Sequence, residues 1–207
     1  MKIGILGGTG RMGRGLAGGF SRAGHQVLLG SRTPERARDV AVEIAEDTRG
    51  GSLMETASEA ELVVLAVPFA EAEGMIRALE EWLADKIVVD ITNPFGAVAP
   101  GQTSATEVHA RAVPTARWVA AYKTTFWKTL DQPESPSGSR RDVLVCSDDQ
   151  PAQRTVMGLI EETGFRAIDC GRLVNARTLD LMVPLMIEVD DRYRGGATSS
   201  WSFWIPS

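Results

Sequence analysis

The sequence predicts an α/β fold: a Rossmann-type, doubly wound, mostly parallel sheet with a short C-terminal helix-plus-tail extension. Three observations carry this. Strand-like and helix-like stretches alternate along the chain, the pattern of a parallel sheet covered by helices. A glycine-rich loop, Gly7-Gly8-Thr9-Gly10-Arg11-Met12-Gly13, joins the first strand to the first helix. Residues 62–67 and 87–91 are almost continuously apolar, as expected of strands buried on both faces.

The elements follow in order. Residues 2–6 form the first strand and 11–23 the helix after it. A second strand covers 26–29, and Thr33-Pro34 opens a helix to about residue 47, with a capping hydroxyl followed by proline at the first helical position. Val40, Ile44 and neighbouring alanines make its apolar face. A short third strand is read at 51–55, with Ser58 capping a single helical turn. Pro68 closes the strand at 62–67, and a helix over 71–84 carries Met75, Ile76, Leu79 and Leu83 at helical spacing. After the strand at 87–91, Asn93-Pro94 begins a Gly/Pro/Ser loop, then come a helix near 104–112 and a strand over 118–122. Residues 131–142 are turn-forming and charged and read as a surface loop. A strand at 143–146, a helix at 151–162 and a strand at 165–169 make one more unit, before a helix over about 172–187 and a Gly/Ser/aromatic tail. Residues 1–187 therefore read as a dinucleotide-binding domain with a C-terminal helix. Residues 188–207 read as a tail that covers either a second-substrate site or a dimer interface.

Composition narrows the class of function. With 207 residues and 43% hydrophobic content, the chain suits one globular domain with a proper core and not a disordered one. A net charge of −5 argues against nucleic-acid or membrane-surface binding. The longest uncharged apolar stretches fall well short of the roughly 20 residues a spanning helix needs. No export signal is read, so the expected location is the cytoplasm. Cys146 and Cys170 are too few for a disulfide framework and read as buried thiols. His25 reads as structural and His109 as a solvated residue on a charged helix, and no metal constellation is expected.

The glycine loop contains G-x-G-x-x-G at Gly8, Gly10 and Gly13. After a strand and before a helix, such glycines permit a tight turn, backbone approach to a pyrophosphate and close helix–strand contact, respectively. The helix N-terminus then offers free N–H groups to phosphate. About 20 residues on, an NAD site would place an acid, whereas this chain has Ser31-Arg32. With no carboxylate to repel a 2′-phosphate and a guanidinium to bind it, NADP(H) is favoured. Arg36, one helical turn further, is a second candidate for the phosphate. Ligands in open α/β sheets sit at strand carboxyl ends, which brings Val67-Pro68 and Asn93 to the nicotinamide half.

The chain resembles the NADPH-dependent coenzyme F420 reductases (F420:NADP oxidoreductases) and the related NADPH-binding domain of STEAP metalloreductases. The matching segments are KIGILGGTGRMGRGLA, AGHQVLLGSR, LVVLAVPFAEA, KIVVDITNPF, DVLVCSDDQPA and GFRAIDCGRLVNARTLDLMVPLM. The resemblance implies a Rossmann domain in which Thr9, Arg11 and Met12 line the pyrophosphate turn, beside Gly7, Gly8 and Gly10 of the glycine loop read above as cofactor-binding. Ser31 and Arg32 hold the 2′-phosphate, and Val67 and Pro68 flank the nicotinamide. It implies coenzyme F420 as the hydride partner, lying against the nicotinamide under the tail. At the position of Lys123 the family holds His or Asn, and the tail here is richer in tryptophan.

Those departures fall in the region expected to meet the second substrate. Lys123 is a candidate proton donor or anion holder, or alternatively a surface lysine, and Tyr122 is a second proton-donor candidate. Trp118, Tyr122 and Phe126 recur every four residues and read as an apolar face. Trp201 and Trp204 read as anchors that floor a flat substrate or pack in an interface. Three functions remain open at this point: NADP(H)–F420 hydride exchange, an NADPH- or reduced-F420-dependent reductase of a small-molecule C=N, C=O or C=C bond, and a non-catalytic NADPH-binding module. A homodimer is expected, since one Rossmann domain with a short tail has little material to enclose a flat ligand.

Overall fold

The computed structural model describes residues 1–204. The first half is built from β1 (Lys2–Leu6), α1 (Arg11–Arg22), β2 (Gln26–Ser31), α2 (Pro34–Ile44), β3 (Thr48–Ser52), α3 (Leu53–Glu59) and β4 (Leu62–Leu65). Then come α4 (Phe69–Ala78), α5 (Glu80–Leu83), β5 (Ile87–Asp90), α6 (Ala105–Ala112) and β6 (Arg117–Ala120). The chain continues with β7 (Asp142–Val145), α7 (Gln150–Glu162), β8 (Arg166–Asp169) and α8 (Ala176–Arg192). Six strands form one sheet in the order β3-β2-β1-β4-β5-β6, all parallel. Because β1 lies at the centre and the chain winds outward both ways, all six carboxyl ends open on one edge. β7 and β8 form a separate parallel pair, joined to β6 by an antiparallel bridge between Ala120 and Cys146.

The apolar runs do what their patterning requires. Leu62, Val63, Val64 and Leu65 are all buried, with Leu62 and Val64 facing one helical layer and Val63 and Leu65 the other. A third cluster, around Leu144, Cys146, Ile168 and Leu179, ties α8 to the β7–β8 pair.

Several local readings change. The helix expected over 71–84 begins at Phe69 and is interrupted at Leu79, giving α4 and α5. The third strand lies at 48–52, and it is Ser52, not Ser58, that caps the following helix, in a reciprocal capping box with Glu55. Thr33 stands at the N-cap of α2 but its hydroxyl makes no capping bond; Ser31 Oγ accepts from the Thr33 N–H instead. The loop at 131–142 is not wholly superficial: Arg141 and Asp142 are buried. α8 continues to Arg192 with Pro184 inside it, so residues 188–192 are helix. Cys146 is buried and Cys170 half-buried. Among the described residues no helix is long and apolar enough to cross a membrane.

Candidate active site

The glycine loop sits at the carboxyl end of β1. The left-handed turn falls at Gly7 (φ +86°) and not at Gly8, where the motif spacing puts it; a Cβ on Gly7 would stand 2.5 Å from the Ala66 carbonyl oxygen. Gly13 performs the close contact expected of the third glycine, since a Cβ there would lie 2.6 Å from Gly8 Cα. Gly10 is the N-cap of α1, where neither a capping side chain nor an acidic residue in the first turn competes for the N–H groups of Arg11, Met12 and Gly13. Thr9 and Met12 are half-buried and Arg11 is exposed. The Arg11 guanidinium lies 5.2 Å from the centre of the Trp127 ring, with the Lys128 ammonium 5.6 Å from the same ring.

Ser31 and Arg32 stand at the carboxyl end of β2. Arg32 Nη1 is 3.0 Å from Glu71 Oε2, an ion pair that joins the end of β2 to the first turn of α4. Arg36 is exposed, with no ion-pair partner among the described residues. Val67 packs against Gly7, and Pro68 is exposed at the N-cap of α4. Asn93, just past β5, donates from Nδ2 to the Lys123 carbonyl (3.1 Å), while its Oδ1 is buried without a partner. Thr125 Oγ1, past β6, is likewise buried and unpartnered.

Beside this edge lies a groove of about 820 Å³ walled by Phe95, Phe126, Pro184 and Ile187, with Gly196 and Ala197 closing one side. A smaller cavity of about 210 Å³, with Asp180 in its wall, shares Phe95 and Pro184 with it. Trp201 and Trp204 do not line the groove: Trp201 is half-buried elsewhere along the tail and Trp204 is 95% exposed. The reason is electrostatic. Asp190, near the end of α8, accepts the backbone N–H groups of Ala197, Thr198 and Ser199, and Arg141 holds Thr198 O and Ser200 Oγ. These bonds turn the tail back across the start of β7, where Phe203 N–H reaches Asp142.

Lys123 and Tyr122 occupy positions unlike those expected of proton donors. The Lys123 side chain is fully enclosed, with Nζ 2.5 Å from the Thr92 carbonyl and 3.0 Å from Asp180 Oδ1. Tyr122 faces the core against Phe165, and burial pushes its phenol up, with Thr163 acting in the opposite direction. A donor must reach the substrate, and neither group is presented to the groove. His109, expected in solvent, is fully buried: Nδ1 is 3.0 Å from Asp90 Oδ2, and the ring packs on Phe69 and Trp118. Burial would raise the Asp90 carboxyl, but the Lys123 ammonium, the His109 ring and the Thr92 N–H together hold it well below the usual carboxylate range. For Asp180, burial prevails over the opposing Lys123 ammonium and the carboxyl is raised. Phe95, Phe126, Trp127, Asp180 and Pro184 were not singled out as site residues from the sequence. Phe95 carries a signal there by following Asn93-Pro94 at a strand end, and Phe126 by its four-residue spacing from Tyr122 and Trp118.

The site's residues fit the group that the glycine turn implies. The cradle at Gly7 and Gly13 leaves no room for side chains, the α1 N–H groups are open, and the orphaned Asn93 Oδ1 needs a donor. Comparison with known proteins agrees. A family model described as "NADP oxidoreductase coenzyme F420-dependent" matches residues 2–94. The F420-dependent NADP reductase of Methanothermobacter marburgensis is 34% identical over 94% of this chain and 94% of its own length. Metalloreductase STEAP3 of Rattus norvegicus is 32% identical over 90% of this chain and 37% of its own. A solved structure from Arthrobacter sp. FB24 superposes with a TM-score of 0.89 at 29% identity, covering 99% of this chain and 100% of that one, so the likeness includes the β7–α8 region. The chain belongs to the family of F420-dependent NADP reductases.

Proposed function

We propose that this protein exchanges a hydride between NADP(H) and the deazaflavin coenzyme F420. The observation that carries the reading is the gathering, on one sheet edge, of the Gly7–Met12 turn, Ser31 with Arg32, Val67 with Pro68, and the unpartnered Asn93 Oδ1. In this reading the pyrophosphate rests on Gly7, Gly8, Thr9, Gly10, Arg11 and Met12, and the 2′-phosphate on Ser31, Arg32 and Arg36. Val67 and Pro68 flank the nicotinamide, and Asn93 Oδ1 accepts a hydrogen bond from the nicotinamide half. The groove walled by Phe95, Phe126, Pro184 and Ile187 takes the second ring system. NADP(H) and F420 supply the hydride chemistry themselves when bound; the chain's part is to bind, orient and exclude water. The enclosure of Tyr122 and Lys123 favours this exchange over a reductase that needs a side-chain proton donor in the cleft.

The test is to mix the purified protein with NADPH and oxidised F420 and follow both absorbance bands. Reciprocal changes are expected; NADPH binding with no exchange overturns the reading.

A homodimer is part of the same proposal. α8 presents Leu181, Leu185 and Val189 at four-residue spacing, each between 38% and 51% exposed, as one apolar stripe beside the groove wall. A second copy laid along this stripe would supply the wall that the short tail does not. Residues 188–197, the end of α8 and the start of the tail, then belong to the second-substrate side of the molecule, and a cytoplasmic location suits the free thiols Cys146 and Cys170.

A further inference from the structure

The Lys123 side chain is fully enclosed, and its bonds join the segment just past β5 to α8, from which Asp180 reaches on to α6. Nζ donates to the Thr92 carbonyl just past β5 (2.5 Å) and pairs with Asp180 Oδ1 on α8 (3.0 Å). Asp180 Oδ2 in turn accepts the Ala105 N–H at the start of α6 (2.8 Å). The Lys123 backbone carbonyl meanwhile accepts from Asn93 Nδ2. A carbonyl oxygen can only accept, so the amide nitrogen must face it, and Oδ1 is left as the acceptor without a partner. The side chain and main chain of one residue therefore hold both Thr92 and Asn93.

Two further observations point the same way. Tyr122 (φ +54°) and Phe95 (φ +43°) are non-glycine residues in the left-handed region, one directly before Lys123 and the other two residues after Asn93. Such conformations persist only where the surroundings over-determine them, and they cluster at sites whose geometry matters. Moreover, a buried ion pair gives little net stability compared with an apolar pair of the same size, because both charges lose their water. Stability alone does not account for placing one here.

We propose that Lys123 is a positioning residue: clamped to Asp180, it fixes the Thr92–Asn93 peptide against α8, so that Asn93 Oδ1 and the Phe95–Pro184 wall stand at set places on the two sides of the hydride-transfer gap. This rests on the reading of Asn93 as a contact to the nicotinamide half.

The experiment is a double-mutant cycle read in the Kd for NADPH, without turnover. One arm is Asn93→Ala. The other is the pair Lys123→Met/Asp180→Asn, which removes both charges together and keeps an acceptor for the Ala105 N–H. If Lys123 acts through Asn93, the effects overlap: about 10-fold weaker binding for Asn93→Ala, about 5-fold for the pair, and about 10-fold rather than about 50-fold for all three changes. Should the pair variant fail to fold, Lys123→Leu/Asp180→Asn, which likewise leaves neither member of the pair as an unpaired buried charge, reads the same coupling. Multiplicative losses overturn the proposal, as does a pair variant that melts and binds NADPH like the native protein. An unchanged Kd in Asn93→Ala removes the contact itself, and the positioning role with it; that result is distinguishable because it requires no change at Lys123.

Discussion

Arg32, at the end of β2, and Glu71, in the first turn of α4, form an ion pair with Nη1 and Oε2 3.0 Å apart. Both side chains are substantially exposed, so the pair adds little to stability. Its consequence is for binding: a 2′-phosphate must draw Arg32 away from Glu71 or share it. Arg32→Ala is expected to weaken NADPH binding by about 1.5–3 kcal/mol, as for a hydrogen bond to a charged group, and to leave NADH binding nearly unchanged. Glu71→Gln should strengthen NADPH a few-fold. Calorimetric titration with both nucleotides checks this, and equal affinity of the native protein for NADH and NADPH would refute the phosphate assignment.

Gly7→Ala should be severe. The added methyl meets the Ala66 carbonyl oxygen at 2.5 Å and Val67 Cγ1 at 2.7 Å, in a backbone conformation that side chains disfavour. Overpacking of this kind costs about 1–3 kcal/mol before the strain is added. A lowered Tm together with lost NADPH binding is the expected result; native values of both would show that the turn relaxes freely.

Lys123→Met alone leaves Asp180 buried and uncompensated, and a loss of about 3–5 kcal/mol in unfolding free energy is expected from denaturant titration. Tyr122→Phe should leave kcat for hydride exchange within about 3-fold, because the ring faces Phe165 and the core rather than the groove. A loss of several hundred-fold would restore Tyr122 as a catalytic residue.

The tail is expected to release in acid. Burial would raise the Asp190 carboxyl, but the Ser199 side chain and the N–H groups of Ala197, Ser199 and Thr198 bring it down from 3.8 to about 2. A carboxyl lower in the folded state stabilises it fully above the unfolded value, and the contribution fades as pH falls from about 4 towards 2. Proteolysis of the tail should therefore rise over that interval, whereas Asp190→Ala should show the raised rate already at pH 7.

Leu181→Glu with Leu185→Glu places two charges on the exposed stripe of α8. Light scattering should show a native dimer converted to monomer with the fold retained, and a monomeric native protein would remove the pairing reading.

Local signals determined a good part of this protein. A glycine turn between a strand and a helix, apolar runs of strand length and the absence of an acid after β2 each act over a few residues. They mark the parallel sheet, the edge where ligands collect and the preference for NADP without any tertiary contact. Even the family resemblance rests on segments that are mostly such junctions.

Tertiary structure decided the rest, and for one physical reason. Whether a charged residue is solvated or buried depends on partners that periodicity does not reveal. His109 lies on a helix with charged neighbours, yet Asp90 on another element draws it fully inside. Lys123 resembled a proton donor because it follows a strand end, but Asp180 on α8 and the Thr92 carbonyl enclose it. Trp201 and Trp204 lie away from the groove because Asp190 and Arg141 fold the tail back upon itself. The bonds of Asp190 to the tail are local, but those of His109, Lys123 and Arg141 span 19 to 59 residues of chain, which only folding brings within hydrogen-bond range.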